Sequence, residues 1–336
     1  MTIGYNSPAT SATKLTVSGA GTFSIGAPGA PTNANVQIGN GQTTNVGNGA
    51  TVDFSGLGTF YANLGTWTFR VGDPSNPGGA STVGSTLILA ADNTIMATTL
   101  TTDSPSGITQ AIKLGGGSNV FNANTINLGL ASHRASGTLD FSSGAGTFQV
   151  RDLAGTGRAA MTISYGGSTT GYAPTSTVNL AGHSSNLLLS TLNIAGRTGT
   201  NGGNSFGSFT FDTGVMDVTG VLIGDRRNTV TNSGTSTGTM TLNGGTITIG
   251  AGGLTLGSNV ASMAGSVSTG IVNLGGTAVA TVGATGGTSI TLGKSTTAGI
   301  VANGTLNITG TGSLTVSGHI IEGAGAGTPA SRPPSI

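Results

Sequence analysis

Ten carboxylates are the groups in this 336-residue chain best suited to do chemistry: Asp53, Asp73, Asp92, Asp103, Asp140, Asp152, Asp212, Asp217, Asp225 and Glu322. Two carboxylates facing one another cleave glycosidic bonds by general acid–base or nucleophilic chemistry, and clustered ones hold calcium. No two are adjacent in sequence, and most stand far apart. Asp212 and Asp217 share one repeat unit and Asp140 and Asp152 another, so those two pairs are the candidates for a spatial cluster. The preferred reading is isolated turn and surface carboxylates. His133, His183 and His319 lack the spacing that places two imidazoles on one metal.

Two short polar runs remain, His133-Arg134 and Asp225-Arg226-Arg227-Asn228. Each follows a strand end (Leu128-Gly129 and Ile223-Gly224), so both are expected at the same corner. There they would contact an acidic glycan or a neighbouring subunit. The preferred alternative is a charged loop that keeps a neutral rod soluble. Thr239/Thr241 and Thr246/Thr248 form Thr-x-Thr pairs of the kind used to bind ice, but such a surface needs the pair on one face of every repeat, which the spacing does not give. Tyr61 and Trp67 would make an aromatic sugar platform if both were exposed. Trp67 alternates with Thr66 and Thr68 beside Phe69, which predicts burial. The glycine-rich phrases lack a phosphate-binding fingerprint, and no EF-hand or calcium nonapeptide is readable. With no cysteine, thiolate metal sites and disulfides are excluded. The expectation is no catalytic, metal or cofactor-binding residue: not an enzyme.

The elements that position these side chains follow from composition. Charged residues are only 6% and the net charge is +1, while glycine accounts for 62 residues. Near-neutrality argues against a nucleic-acid partner, which needs a basic stripe. Apolar runs such as Thr86–Ala90 and Leu187–Leu189 are far shorter than the ~18 residues of a membrane-spanning helix. Short alternating runs of Val, Ile and Thr separated by Gly and Asn are the composition of strands and tight turns, not of helices. The opening Met1-Thr2-Ile3-Gly4-Tyr5 lacks the basic and apolar regions of a signal peptide, so a removed leader or a start inside a larger precursor is expected.

The strands repeat. Met240 and Leu242 alternate with Thr, as do Ile247 and Ile249, and Leu254 and Leu256. The phase resets at Gly244-Gly245 and at Gly252-Gly253, so each glycine pair marks a corner between strands whose apolar sides face one interior. A looser stretch is expected from Ser258 to Gly270. Then follow Ile271–Leu274, Ala278–Val282 and Ser289–Gly293, and lastly Thr305–Thr309 and Ser313–Ser317. Upstream, Phe209–Phe211, Val215–Val218 and Val221–Gly224 form another unit. Ile223, Leu256 and Leu292 mark equivalent positions about 33 and about 36 residues apart, a solenoid period. The N-terminal half carries the same pattern, from Lys14–Val17 and Thr22–Ile25 through Thr66–Val71 to Met161–Tyr165. The prediction is an all-β parallel β-helix of roughly ten three-strand coils. It covers residues 1–322, with a Gly/Pro-rich tail over 323–336. Asn127, Asn179, Asn193, Asn243, Asn273 and Asn307 each follow an apolar strand residue; stacked in register they would form an amide ladder, and otherwise they simply tolerate the end of a strand.

The segments Gly238–Gly257 and Gly304–Gly318 resemble the β-strand repeats of autotransporter passengers and related bacterial surface β-helix proteins. The shared phrase, Gly-Thr-apolar-Thr-Leu-Asn-Gly-Gly-Thr-apolar-Thr-apolar-Gly, is carried by Gly238–Gly250 and more weakly by Ile271–Gly276 and Thr305–Thr309. The resemblance implies a right-handed helix, export and a surface or stalk role. The Pro-rich C-terminus departs from the amphipathic strands of a translocator barrel, so a complete autotransporter is not expected. The expected function is an extracellular or cell-surface structural protein whose copies stack head to tail into a filament. An adhesin binding surface glycans is the alternative, and a polysaccharide lyase or hydrolase ranks last. No membrane insertion is expected.

Overall fold

The computed structural model describes residues 1–3, 13–41, 47–73, 83–104, 108–130, 135–142, 144–166, 173–197, 203–227, 233–260, 264–283, 287–296 and 300–323. His133-Arg134, Asn228 and the tail from 324 onward lie outside them. The described chain is a parallel β-solenoid with strands and no helix. Twenty-four strands join in one continuous sheet that wraps an apolar interior. The exception is a small antiparallel ribbon, Asn40–Gly41 against Gly47–Asn48.

Each coil offers three faces. Thr175–Asn179, Ser205–Phe211, Thr235–Leu242, Val267–Leu274 and Val301–Ile308 stack on the first. Ser184–Arg197, Thr213–Arg226 and Thr246–Asn259 each bend round a corner. Their first halves stack on the second face (Leu187, Met216, Ile247) and their later halves on the third (Leu192, Val221, Leu254). Successive side chains of a strand point to opposite sides, so one column in two enters the core. Val178, Phe209, Met240 and Val272 form such a column, all buried. The predicted core residues Met240, Leu242, Ile247, Ile249, Leu254 and Leu256 are all buried. Each contributes about 1.5–3 kcal/mol as it leaves water.

The corner after the third face is built from an unusual backbone. Gly129, Ser164, Ala195, Gly224, Gly257 and Gly293 lie in register on successive coils, and all six have positive φ, between 56 and 72°. This left-handed residue swings the chain toward the next first-face strand. The two strands then approach so closely that a Cβ on Gly270 would sit 2.4 Å from Gly257 N and Ile223 O. Small polar side chains fill what remains. Ser205 Oγ donates to Ser164 O at 2.6 Å, Ser164 Oγ to Pro174 O at 2.8 Å and Ser268 Oγ to Ser258 O at 2.8 Å.

This corner corrects two expectations. The stretch from Ser258 to Gly270 is not loose throughout: Thr246–Asn259 runs through its start and Val267–Leu274 begins inside it. Its inward positions carry Ser266, Ser268 and Gly270 instead of apolar residues, which hides the strand from an apolar count. The interior is therefore not purely apolar, since Ser176, Ser205 and Ser236 are also fully buried. Trp67 is 42% exposed, against the expected burial. The strand starts at Thr68 rather than Thr66. A turn centred on Gly65 (φ 60°) breaks the alternation before it reaches Trp67.

Candidate functional site

The carboxylates clasp neighbouring coils instead of converging. Asp92 Oδ1 accepts from Ser118 N at 2.7 Å, and Lys113 Nζ meets Asp140 Oδ2 at 2.7 Å. Asp212 takes Gly182 N at 2.7 Å from the coil before and Asn243 Nδ2 at 2.8 Å from the coil after. Arg158 reaches across an intervening coil to Asp217 at 2.7 Å and also donates to Leu189 O at 3.0 Å. Asp152 caps its own loop through Thr156 N and Gly157 N, at 3.2 and 2.8 Å. Asp53 accepts from Ser55 Oγ at 2.6 Å and lies 3.8 Å from Lys14; the Ser55 hydroxyl chiefly holds its carboxyl below the ordinary range. Asp140 and Asp152 thus bind different partners, as do Asp212 and Asp217. Glu322 ends the last described strand, exposed.

The remaining candidates are spread over several coils. His183 stacks on Phe141 with ring centroids 3.7 Å apart, its Nδ1 3.2 Å from Gly146 O. His319 opens the last described strand. No group of three His, Cys, Asp or Glu gathers among the described residues. Thr239/Thr241 lie on the first face and Thr246/Thr248 on the second. Tyr61 donates to Met96 Sδ at 3.5 Å, and no ring contact joins it to Trp67. Of the six predicted ladder asparagines only Asn307 and Asn273 bond to each other, at 2.8 Å. Asn127 and Asn193 have Thr162 between them in register. Asn179 instead accepts from Ala181 N at 3.1 Å.

Two features were not foreseen, a buried acid pair and an outer groove. Asp73 and Asp103 sit one coil apart at the corner after the third face, both nearly buried, and Gly72 pairs with Asp103. Burial pushes the Asp103 carboxyl up to about 6; Arg70 and the Ser104 N–H oppose the shift, and Asp73 adds to it. Asp103 Oδ1 and Arg70 Nε are both buried without a hydrogen-bond partner. The signal was the repeat itself: Val71-Gly72 and Thr102-Asp103 are equivalent strand ends on successive coils, and Asp73 directly follows the first. An asparagine pair, Asn93 and Asn119, bonds within the interior at 2.8 Å.

The second feature is a groove of about 450 Å³ on the outer side of the third face, lined by Tyr165, Asn193, Leu222, Thr255, Asp225 and Arg227 among others. It opens where Gly220 and Gly252 offer no side chain. The Asp225-Arg226-Arg227 run lies at the corner after Gly224, as its spacing predicts, but it is not a solvated loop. Asp225 and Arg226 are buried, and Arg227 reaches solvent while pairing Nε with Asp225 Oδ2 at 2.6 Å. Burial raises the Asp225 carboxyl, opposed first by Arg227 and then by Ser258 and Lys294. Asp225 is the one acid among the described residues that line the groove. Its wall is otherwise polar and apolar by turns, with the Tyr165 ring as its one aromatic side chain among the described residues.

At both ends of the described solenoid the interior is half open. Leu15, Val17, Phe23 and Ile25 at one end are only partly buried, as are Leu306, Leu314 and Val316 at the other. Among the described residues Thr13–Ile25 pairs only with Ala50–Asn63, and Val301–Ile308 only with Val267–Leu274.

No protein-family model matches the chain, nor does any curated protein or solved structure. The class that the fold itself defines is the parallel β-solenoid.

Proposed function

We propose that the chain is a structural rod of an extracellular or cell-surface fibre, lengthened by head-to-tail stacking of its coils. The carrying observation is the pair of half-open ends. The core columns run unbroken to both, so Leu306 ends the column that Leu15 begins, and Leu314 ends the column that Ile25 begins. Stacking the last coil of one copy on the first coil of the next would cover both apolar edges and pair both rows of backbone groups. The rod would wind right-handed through roughly ten three-strand coils, ~50 Å long at ~4.8 Å per coil. The phrase at Gly238–Gly250 supports kinship with autotransporter-type surface repeats.

Sedimentation and light scattering at micromolar concentration test the reading. The wild type should form open-ended polymers, and Leu306→Asp, which sets a charge on the half-open edge, should leave folded monomers. A monodisperse wild-type monomer across salt and pH overturns it, as does a longer form of the chain whose flanking residues cover these edges.

The groove favours a second reading, an adhesin for surface glycans. Binding on a glycan array that is lost in Tyr165→Ala would support it. Polysaccharide cleavage is the reading supported least, since the groove has a single acid among the described residues that line it.

A further inference from the structure

Arg197 and Arg226 are the two largest fully buried side chains, 1% and 0% exposed, and they lie in register on successive coils inside the corner after the third face. Arg226 Nη1 donates to Gly203 O at 2.9 Å, but its Nε and Nη2 are buried with no hydrogen-bond partner. All ten carboxylates of the sequence are among the described residues, and those in ion pairs meet Lys14, Lys113, Arg158 and Arg227. None reaches Arg226, and Asp225 beside it in sequence turns outward to Arg227. A guanidinium sealed from water without a counter-charge is strongly destabilising, more so beside a second one. Burial and the neighbouring Arg197 depress the basicity of Arg226 to about 10.

We propose that this corner binds a small oxyanion, gripped side-on by Nε and Nη2 of Arg226. Those two N–H groups form one edge of the planar guanidinium, a fork that matches two oxygens of one phosphate, sulfate or carboxylate. Glycine backbone, without a Cβ, lies close against both guanidinium groups. A Cβ on Gly234 would sit 3.0 Å from Nη2 of Arg226, and one on Gly203 2.9 Å from Nη2 of Arg197. Closing the corner does not itself require cations. In the next two coils the same column holds Asn259 and Ser295, and Asn259 Nδ2 serves the carbonyls of Ser266 and Val301 at 3.1 and 2.9 Å. The unpartnered Nε and Nη2 of Arg226 therefore mark a place where negative charge is added from outside the chain. Because the donors are buried, the anion is taken up as the corner folds.

Equilibrium unfolding at constant ionic strength tests the site, with inorganic phosphate in one series and acetate in another to separate the two oxyanion sources. The wild-type midpoint should climb with the logarithm of anion concentration in at least one series. Arg226→Gln should remove that dependence, whereas Arg151→Gln, which deletes a surface guanidinium bound to Asn186, should keep it. Crystals of the wild type grown with selenate give a readout that needs no variant: an anomalous peak bridging Nε and Nη2 of Arg226. Equal anion responses in wild type and Arg226→Gln, or ordered water in place of the peak, overturn the proposal.

Discussion

Replacing Asp103 with asparagine should raise stability at neutral pH and abolish one component of its pH dependence. Burial lifts this carboxyl from its ordinary 3.8 to about 6, so the folded chain holds the proton more tightly than the unfolded chain. The difference corresponds to roughly 3 kcal/mol against the charged form in the fold. The sign follows from linkage. Between pH 3.8 and about 6 the folded state binds more protons, so this group's contribution falls as pH rises through that window and stays low above it. Asp103→Asn has no charge to bury, but its amide must still find partners where Oδ1 has none. The net gain above pH ~6.5 is therefore expected at about 1–2 kcal/mol, vanishing below pH ~4. Urea titrations of both proteins at several pH values between 4 and 8 supply the measurement, and subtracting one curve from the other cancels the remaining carboxylates. A wild-type minus variant difference that is flat with pH, or that favours the wild type at pH 7, refutes the reasoning.

Other substitutions probe the coils directly. Leu242→Asp places an unpaired charge in a core column and should cost several kcal/mol in urea unfolding; a neutral outcome would mean that the side chain does not face the interior. Gly270→Ala drives a methyl against the backbone of the neighbouring corner and should cost about 1–3 kcal/mol by the same assay. Ala195→Gly, which relieves a left-handed φ of 58°, should be neutral to stabilising by up to about 1 kcal/mol, and a large loss would contradict the corner geometry.

Much of the fold was legible because a phase reset cannot occur within a flat strand. The glycine pairs at Gly244 and Gly252 marked corners, and Ile223, Leu256 and Leu292 do lie in register. The corner after the third face was harder to read. Its left-handed position is glycine on some coils but Ser164 and Ala195 on others, so no single residue type signals it. The bend there buries Asp225 and Arg226, although two charged residues after a glycine ordinarily mark a solvated loop. Strands entering that corner carry inward serines, which an apolar alternation count passes over. Asp73 and Asp103 were read as isolated because coil length varies along the chain, and register between distant residues emerges only when every loop is placed. Trp67 was misread since one left-handed glycine cancels the parity on which its burial was argued.

Helical reconstruction from electron micrographs of the purified protein at micromolar concentration tests the proposed assembly most directly. The account predicts unbranched filaments in which the ~4.8 Å coil spacing crosses each junction without a break, Leu306 of one copy lying over Leu15 of the next. Separate rods that stay single at every concentration, or junctions made through the sides of the solenoid, would contradict it.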